Sequence, residues 1–138
     1  MELDKEKIKK RFSEINEALA EVQKLTERKN KDLLKEKVDM AALKYYLLQA
    51  IESVGSICTH VAAKKFNKGV SSFGECFDFL EKERILEESL ASKLKKMVQF
   101  RNKLTHRYWE IDDEKILEYA RKDLGDFREF IKTIDILL

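Results

Sequence analysis

An arginine, an amide, a histidine and a tyrosine crowd into one short stretch, FRNKLTHRYWEID, as Arg101, Asn102, His106 and Tyr108, in a chain with two histidines in all. At ~100° per residue on a helix, Asn102 and His106 lie one above the other. Arg101 and His106 stand ~140° apart, so both border one groove if the helix frays after Thr105. A guanidinium stays charged at any working pH and grips phosphate in a fork, and imidazole gives or takes a proton near neutrality. Together they suit cleavage of a phosphodiester. The plainer reading is a charged helix end, because Arg101, Lys103, His106 and Arg107 would all offset the helix dipole there.

The segment resembles the signature of the HEPN superfamily and, more narrowly, of HepT-like toxins: Arg, four residues, His, one residue, Tyr, with a polar residue directly after the Arg. Asn102 fills the polar slot, and Ile111-Asp112 fits the usual continuation. A weaker likeness runs from about Met40 to the C-terminus. The resemblance implies a HEPN-like helical domain acting as an endoribonuclease toxin of a toxin–antitoxin pair. Attack of an RNA 2′-hydroxyl on its adjacent phosphate needs a base, charge stabilisation and protonation of the leaving oxygen. His106 would transfer protons, Arg101 would stabilise the phosphorane charge, and Asn102 would position phosphate or imidazole. A single motif histidine sits poorly with separate acid and base roles; the family pairs two motifs across a homodimer cleft. The resemblance also makes Tyr108 the acceptor of AMP from a partner nucleotidyltransferase of the MntA type, which silences the toxin. A tyrosine that merely fixes the loop is the alternative.

The elements that would carry this site are helical. Proline is absent and glycine occurs four times, at Gly55, Gly69, Gly74 and Gly125, so few residues interrupt a helix. The spacing predicts a first helix over about 4–28 with an apolar stripe of Ile8, Phe12, Ile15, Leu19 and Val22. A longer central helix over about 32–66 is apolar over a wide arc that includes Val38, Tyr45, Leu48, Ile51, Val54, Cys58 and Val61. Asn67-Lys68-Gly69 closes it, and Ser72 with Glu75 fits a capping box opening a short helix over about 73–83. A fourth helix from about Glu87 buries Leu90, Leu94, Met97 and Val98 and leads to Arg101. Trp109 is expected to anchor the corner after it, and Asp112 to cap one last helix with Ile116, Ala120, Leu124, Phe127, Ile131 and Ile134 inward. Gly125 within that helix would admit close approach of a neighbour. The fold expected is all-α, an antiparallel up-and-down bundle of four main helices and one short one, over residues 1–138 as one domain.

Charge sets limits on partners. Lys+Arg number 28 against 26 Asp+Glu, a formal +2, so any hold on nucleic acid must be local. One window supplies it: from Lys93 to Arg107 the chain has six basic and no acidic residues, and Lys96, Lys103 and Arg107 are candidate contacts to an RNA backbone. A solvated face is the alternative. Glu52 and His60, polar residues on the central helix, are read as structural, though either could reach across to orient His106. Cys58 and Cys76 are read as reduced core residues. No metal-binding cluster, phosphate loop or serine or cysteine nucleophile with a base stands out, so no metal or cofactor is expected. The N-terminal MELDKEKIKKRF lacks the apolar core of a signal peptide, and no run reaches the ~20 apolar residues of a membrane span, which points to the cytoplasm. A HEPN module that binds a nucleotidyltransferase or nucleotide without cleaving RNA, or a helical assembly protein, would share the fold; in the first His106 would be dispensable, whereas in a toxin His106→Ala would abolish RNA cleavage and leave partner binding intact.

Overall fold

The computed structural model describes residues 2–138 and is all-helical. Seven α-helices are present among the described residues: α1 (Lys5–Leu25), α2 (Asn30–Leu33), α3 (Lys37–Phe66), α4 (Phe73–Lys82), α5 (Glu88–His106), α6 (Asp113–Lys122) and α7 (Gly125–Asp135), with a 3₁₀ turn at Tyr108–Glu110 between α5 and α6. The long helix α3 is the centre of the bundle. It packs along α1 on one side and against α4 and α5 on the other, while α7 covers α5.

The first helix forms as its stripe predicts. Ile8, Phe12, Ile15, Ala18, Leu19 and Val22 are all buried, and Asp4 caps its start by accepting from the Lys7 amide at 3.1 Å. The central helix does not begin at residue 32. One turn, α2, stands apart, and the chain restarts as α3 at Lys37. No proline or glycine makes this break. Arg121 of α6 donates to the carbonyls of Thr26 and Arg28, both at 2.7 Å, and to Asn30 Oδ1 at 2.8 Å, fastening the α1–α2 connection from a distance. The apolar arc of α3 is also narrower than its composition suggests: Val38 is 81% and Tyr45 60% exposed, whereas Leu47, Ile51, Val54, Ile57, Cys58 and Val61 are buried.

Asn67, at φ 51° and ψ 40°, is the left-handed residue that ends α3. Ser72 then caps α4 through the Glu75 amide at 3.1 Å, but the Glu75 carboxylate reaches back to Ser71, taking its amide at 2.9 Å and its hydroxyl, and so closes the box one residue earlier than expected. Cys58 and Cys76 are free and buried, their sulfurs 2.9 Å apart where α3 meets α4; burial pushes the Cys58 thiol well above its ordinary value.

The C-terminal helix is two helices. After Lys122 the chain turns through Asp123 and Leu124, and α7 starts at Gly125 with Asp126 and Phe127 bonded three residues back. Aspartate and glycine are both poor helix formers. The interruption resets the helical phase, so that Phe130 is fully buried and Ile131 only partly, although an unbroken helix would turn Ile131 inward. Nothing lies within 4 Å of a Cβ placed on Gly125, so this glycine marks the break and makes no close helix contact.

Candidate functional site

The fourth long helix, α5, buries Leu90, Ala91, Leu94 and Met97. Arg101 continues that stripe, seven residues after Leu94 and four after Met97, so its side chain leaves α5 on the face turned towards α3 and α4. There Nε donates to Glu52 Oε1 of α3 at 2.5 Å, and the guanidinium lies over the ring of Phe73, the first residue of α4, with Cζ 5.1 Å from the centroid. Nη1 donates to Asn102 Oδ1 at 3.0 Å. A guanidinium has five N–H donors; with two taken, three remain on the Nη edge, the edge that forks onto phosphate.

The helix does not fray at Thr105. It runs through His106, and Arg107 leaves it at φ −138° and ψ 41°. His106 therefore stays ~140° around the helix from Arg101, exposed to solvent. The structure brings Arg101 and Asn102 together; among the described residues no hydrogen bond joins His106 or Tyr108 to either. Tyr108 sits in the 3₁₀ turn, 70% exposed, and its ring meets Trp109 edge-on at 5.4 Å. Trp109, at 69% exposed, does not anchor the corner; that packing falls to Phe100, stacked on Tyr119 at 4.6 Å.

The basic window separates into two parts. Lys95 pairs with Asp78 at 2.7 Å, and Lys93 approaches Asp126 and Glu129 at 3.9 and 3.8 Å, so these two serve the packing of α5 on α4 and α7. Arg107 approaches Glu110 at 3.8 Å. Lys96 and Lys103 are exposed; at seven residues apart they share a helical face, with Arg107 one turn further on the same side. This is the face on which His106 lies, across the helix from Arg101.

Of the two polar residues on α3, His60 is structural: Nε2 accepts from the Asp4 amide at 3.1 Å, at the start of α1. Glu52, read from the sequence as structural, joins the candidate site through its contact with Arg101, and it does not reach His106. Helical phase could have found it, because an arginine that continues a core stripe needs an acid on the helix it faces. Beside Glu52 an open groove of about 520 Å³ runs between α1 and α3, lined by Arg11, Glu14, Tyr45, Gln49 and Ser56 among others. No group of three or more His, Cys, Asp or Glu that could hold a metal occurs among the described residues, and no helix there is long and apolar enough to cross a membrane.

Comparison with known proteins gives this arrangement its relatives. A protein of Archaeoglobus fulgidus described as a candidate RNase is 27% identical over 134 residues, covering 97% of this chain and 95% of its own. The mRNA nuclease HepT of Shewanella oneidensis is 27% identical over 88 residues, 64% of this chain and 66% of its own. Among solved structures, a tri-AMPylated Shewanella oneidensis HEPN toxin in complex with its MNT antitoxin superposes with a TM-score of 0.88 at 21% identity, over 94% of this chain and 97% of that one; it establishes the shared fold. The model of the HepT-like ribonucleases matches residues 15–134, a span that takes in Glu52, Phe73 and the whole Arg101–Tyr108 motif, and the chain belongs to that family.

Proposed function

We propose that this chain is a metal-independent endoribonuclease toxin whose site is completed by two copies, and that it works in the cytoplasm. The observation that carries the reading is a guanidinium fixed with three of its Nη N–H donors left over, and a solvent-exposed imidazole on the next turn of the same helix. The guanidinium supplies charge stabilisation for a pentavalent phosphorane, and the imidazole supplies proton transfer. The 2′-oxygen bonds to phosphorus as one base takes its proton, and the bond to the 5′-oxygen breaks as one acid protonates the leaving group. Two copies supply two His106 side chains, one for each role. Lys96, Lys103 and Arg107, on the face that carries His106, would follow the RNA backbone.

A second copy would dock on the stripe of α3 made by the exposed Val38, Ala41 and Tyr45 with the half-buried Leu48, which leads at helical spacing to Glu52 and so to Arg101. A second partner is an MntA-like nucleotidyltransferase antitoxin, as in the structural relative, with Tyr108 as the AMP acceptor; its exposure leaves the phenol open to attack an activated phosphate. AMP there would set a negative charge and a bulky base on the turn after His106.

The test is cleavage of a mixed RNA pool in EDTA, comparing wild type with His106→Ala. Wild type should leave 2′,3′-cyclic phosphate ends, and the variant should lose about a hundredfold or more of the rate. If neither protein cleaves, with Tyr108 shown to be unmodified, the chain is a binding module. If both cleave equally, His106 has no part in the chemistry.

A further inference from the structure

We infer that Glu52 is a positioning residue for Arg101, working with Phe73 as a floor, and that it sets the direction in which the guanidinium meets phosphate; this rests on the phosphodiester-cleaving reading of the same site. Three observations, from α3 and α4, bear on Arg101. Glu52, on α3 and 49 residues away in sequence, takes Nε at 2.5 Å. Phe73, at the start of α4, lies under the guanidinium at 5.1 Å. Gly55, one turn after Glu52, leaves the space that the Phe73 ring fills, since a Cβ there would collide with Cδ2, Cε2 and Cζ of the ring. An arginine has several soft torsions and about 2 kcal/mol of rotamer entropy to lose. Gripping it at Nε and across one face removes most of that freedom before substrate arrives, while three Nη N–H donors stay available.

The carboxylate also opposes binding. It places a negative charge beside the group that attracts phosphate, so part of the ground-state pull on RNA is given up for a fixed orientation in the transition state. That trade has a kinetic signature which a purely structural residue lacks. Removing the charge should strengthen substrate binding while weakening catalysis.

On a short RNA substrate, Glu52→Ala should lower kcat about ten- to a hundredfold, the scale set by misplacing a catalytic group by around 1 Å, and should lower KM about threefold. Glu52→Gln keeps an oxygen for Nε without the charge; it should recover part of kcat yet keep the low KM. Melting temperatures identify any variant that has lost its fold. The contact is read without activity from the Arg101 Nε–H resonance, which should exchange slowly with solvent in wild type and quickly in Glu52→Ala. A wild-type kcat in Glu52→Ala, a fall in kcat with KM unmoved in both variants, or a fast-exchanging Nε–H in wild type overturns the inference. An inert wild type with a protected Nε–H instead removes the phosphodiester reading, and the positioning role goes with it.

Discussion

The ring of Phe73 occupies the volume that a Cβ on residue 55 would need, so the missing side chain of Gly55 sets the height of the floor beneath Arg101. Gly55→Ala should push that ring aside. Phe73 is only partly buried, so the ring can swing outward, and the strain should be relieved at a cost of about 1 kcal/mol, roughly 4 °C in Tm for a chain of this length. The larger effect belongs to catalysis, a drop in kcat of about tenfold as the guanidinium loses its platform. A double-mutant cycle decides the cause. In a Phe73→Ala background Gly55→Ala should add little, because the ring it displaces is gone; fully additive losses would show that the glycine acts by another route.

Val38, Ala41, Tyr45 and Leu48 recur at steps of three and four along α3, and that line runs directly to Glu52. Scattered exposed apolar residues require no explanation, but here Val38 at 81% and Tyr45 at 60% exposure stand in one row beside the site. With His106 turned away from the Arg101 of its own chain, a second copy on this row would bring a second motif to the cleft. Val38→Glu with Tyr45→Arg should therefore sediment as a monomer, keep the helical circular-dichroism signal of wild type and lose RNA cleavage. A wild type that is monomeric yet fully active would contradict the two-copy site.

Sequence phase revealed the stripe of α1 residue by residue and three of the four expected core residues of α5, with Val98 only partly buried, because on a two-faced helix the apolar stripe and the packed face are the same thing. It failed where distant contacts decide the backbone. The connection between α1 and α2 is held by Arg121, more than ninety residues away from the carbonyls it binds, and no local residue announces it. On α3 the composition overstated burial, since Val38 and Tyr45 are as apolar as their buried neighbours and only the placement of other helices leaves them uncovered. The motif itself was legible in full, but its internal geometry was not: adjacency in sequence suggested that Arg101 and His106 share a groove, whereas the continuous helix through His106 turns one towards the core and the other to solvent.

His60 offers a test of stability in place of activity. Its Nε2 accepts a hydrogen bond from the Asp4 amide, which requires a neutral imidazole. Burial, with the charges of Lys7 and Lys64, moves its pKa below the ordinary 6.5, against a smaller upward pull from Asp4. With the folded pKa below the unfolded one, the native state binds fewer protons. This contribution is complete above about pH 6.5 and is lost as pH falls through 6.5 towards the folded value. The gap in Tm between wild type and His60→Ala should thus be widest near pH 7.5 and narrower at pH 5.5, when other groups titrate alike in both proteins. A gap independent of pH would mean that the ring serves by shape and not as an acceptor.

Tyr108 tests the proposed control of the site. Its phenol is 70% exposed on a short turn, two residues beyond His106, so a nucleotidyltransferase could reach it without unfolding α5. In the transfer the phenolic oxygen would bond to the α-phosphorus of ATP, pyrophosphate would leave and the phenolic proton would pass to solvent. The AMP phosphodiester then carries a negative charge beside Arg107 and His106, where an RNA backbone would otherwise lie, and repels it. Incubation with an MntA-like enzyme, ATP and magnesium should place AMP on Tyr108 by peptide mass spectrometry and suppress cleavage by wild type. Tyr108→Phe should cleave RNA before and after the same treatment, since it lacks only the acceptor oxygen. Equal silencing of the variant would move control of the site to another residue, and a variant inactive before treatment would make the phenol part of the cleavage machinery.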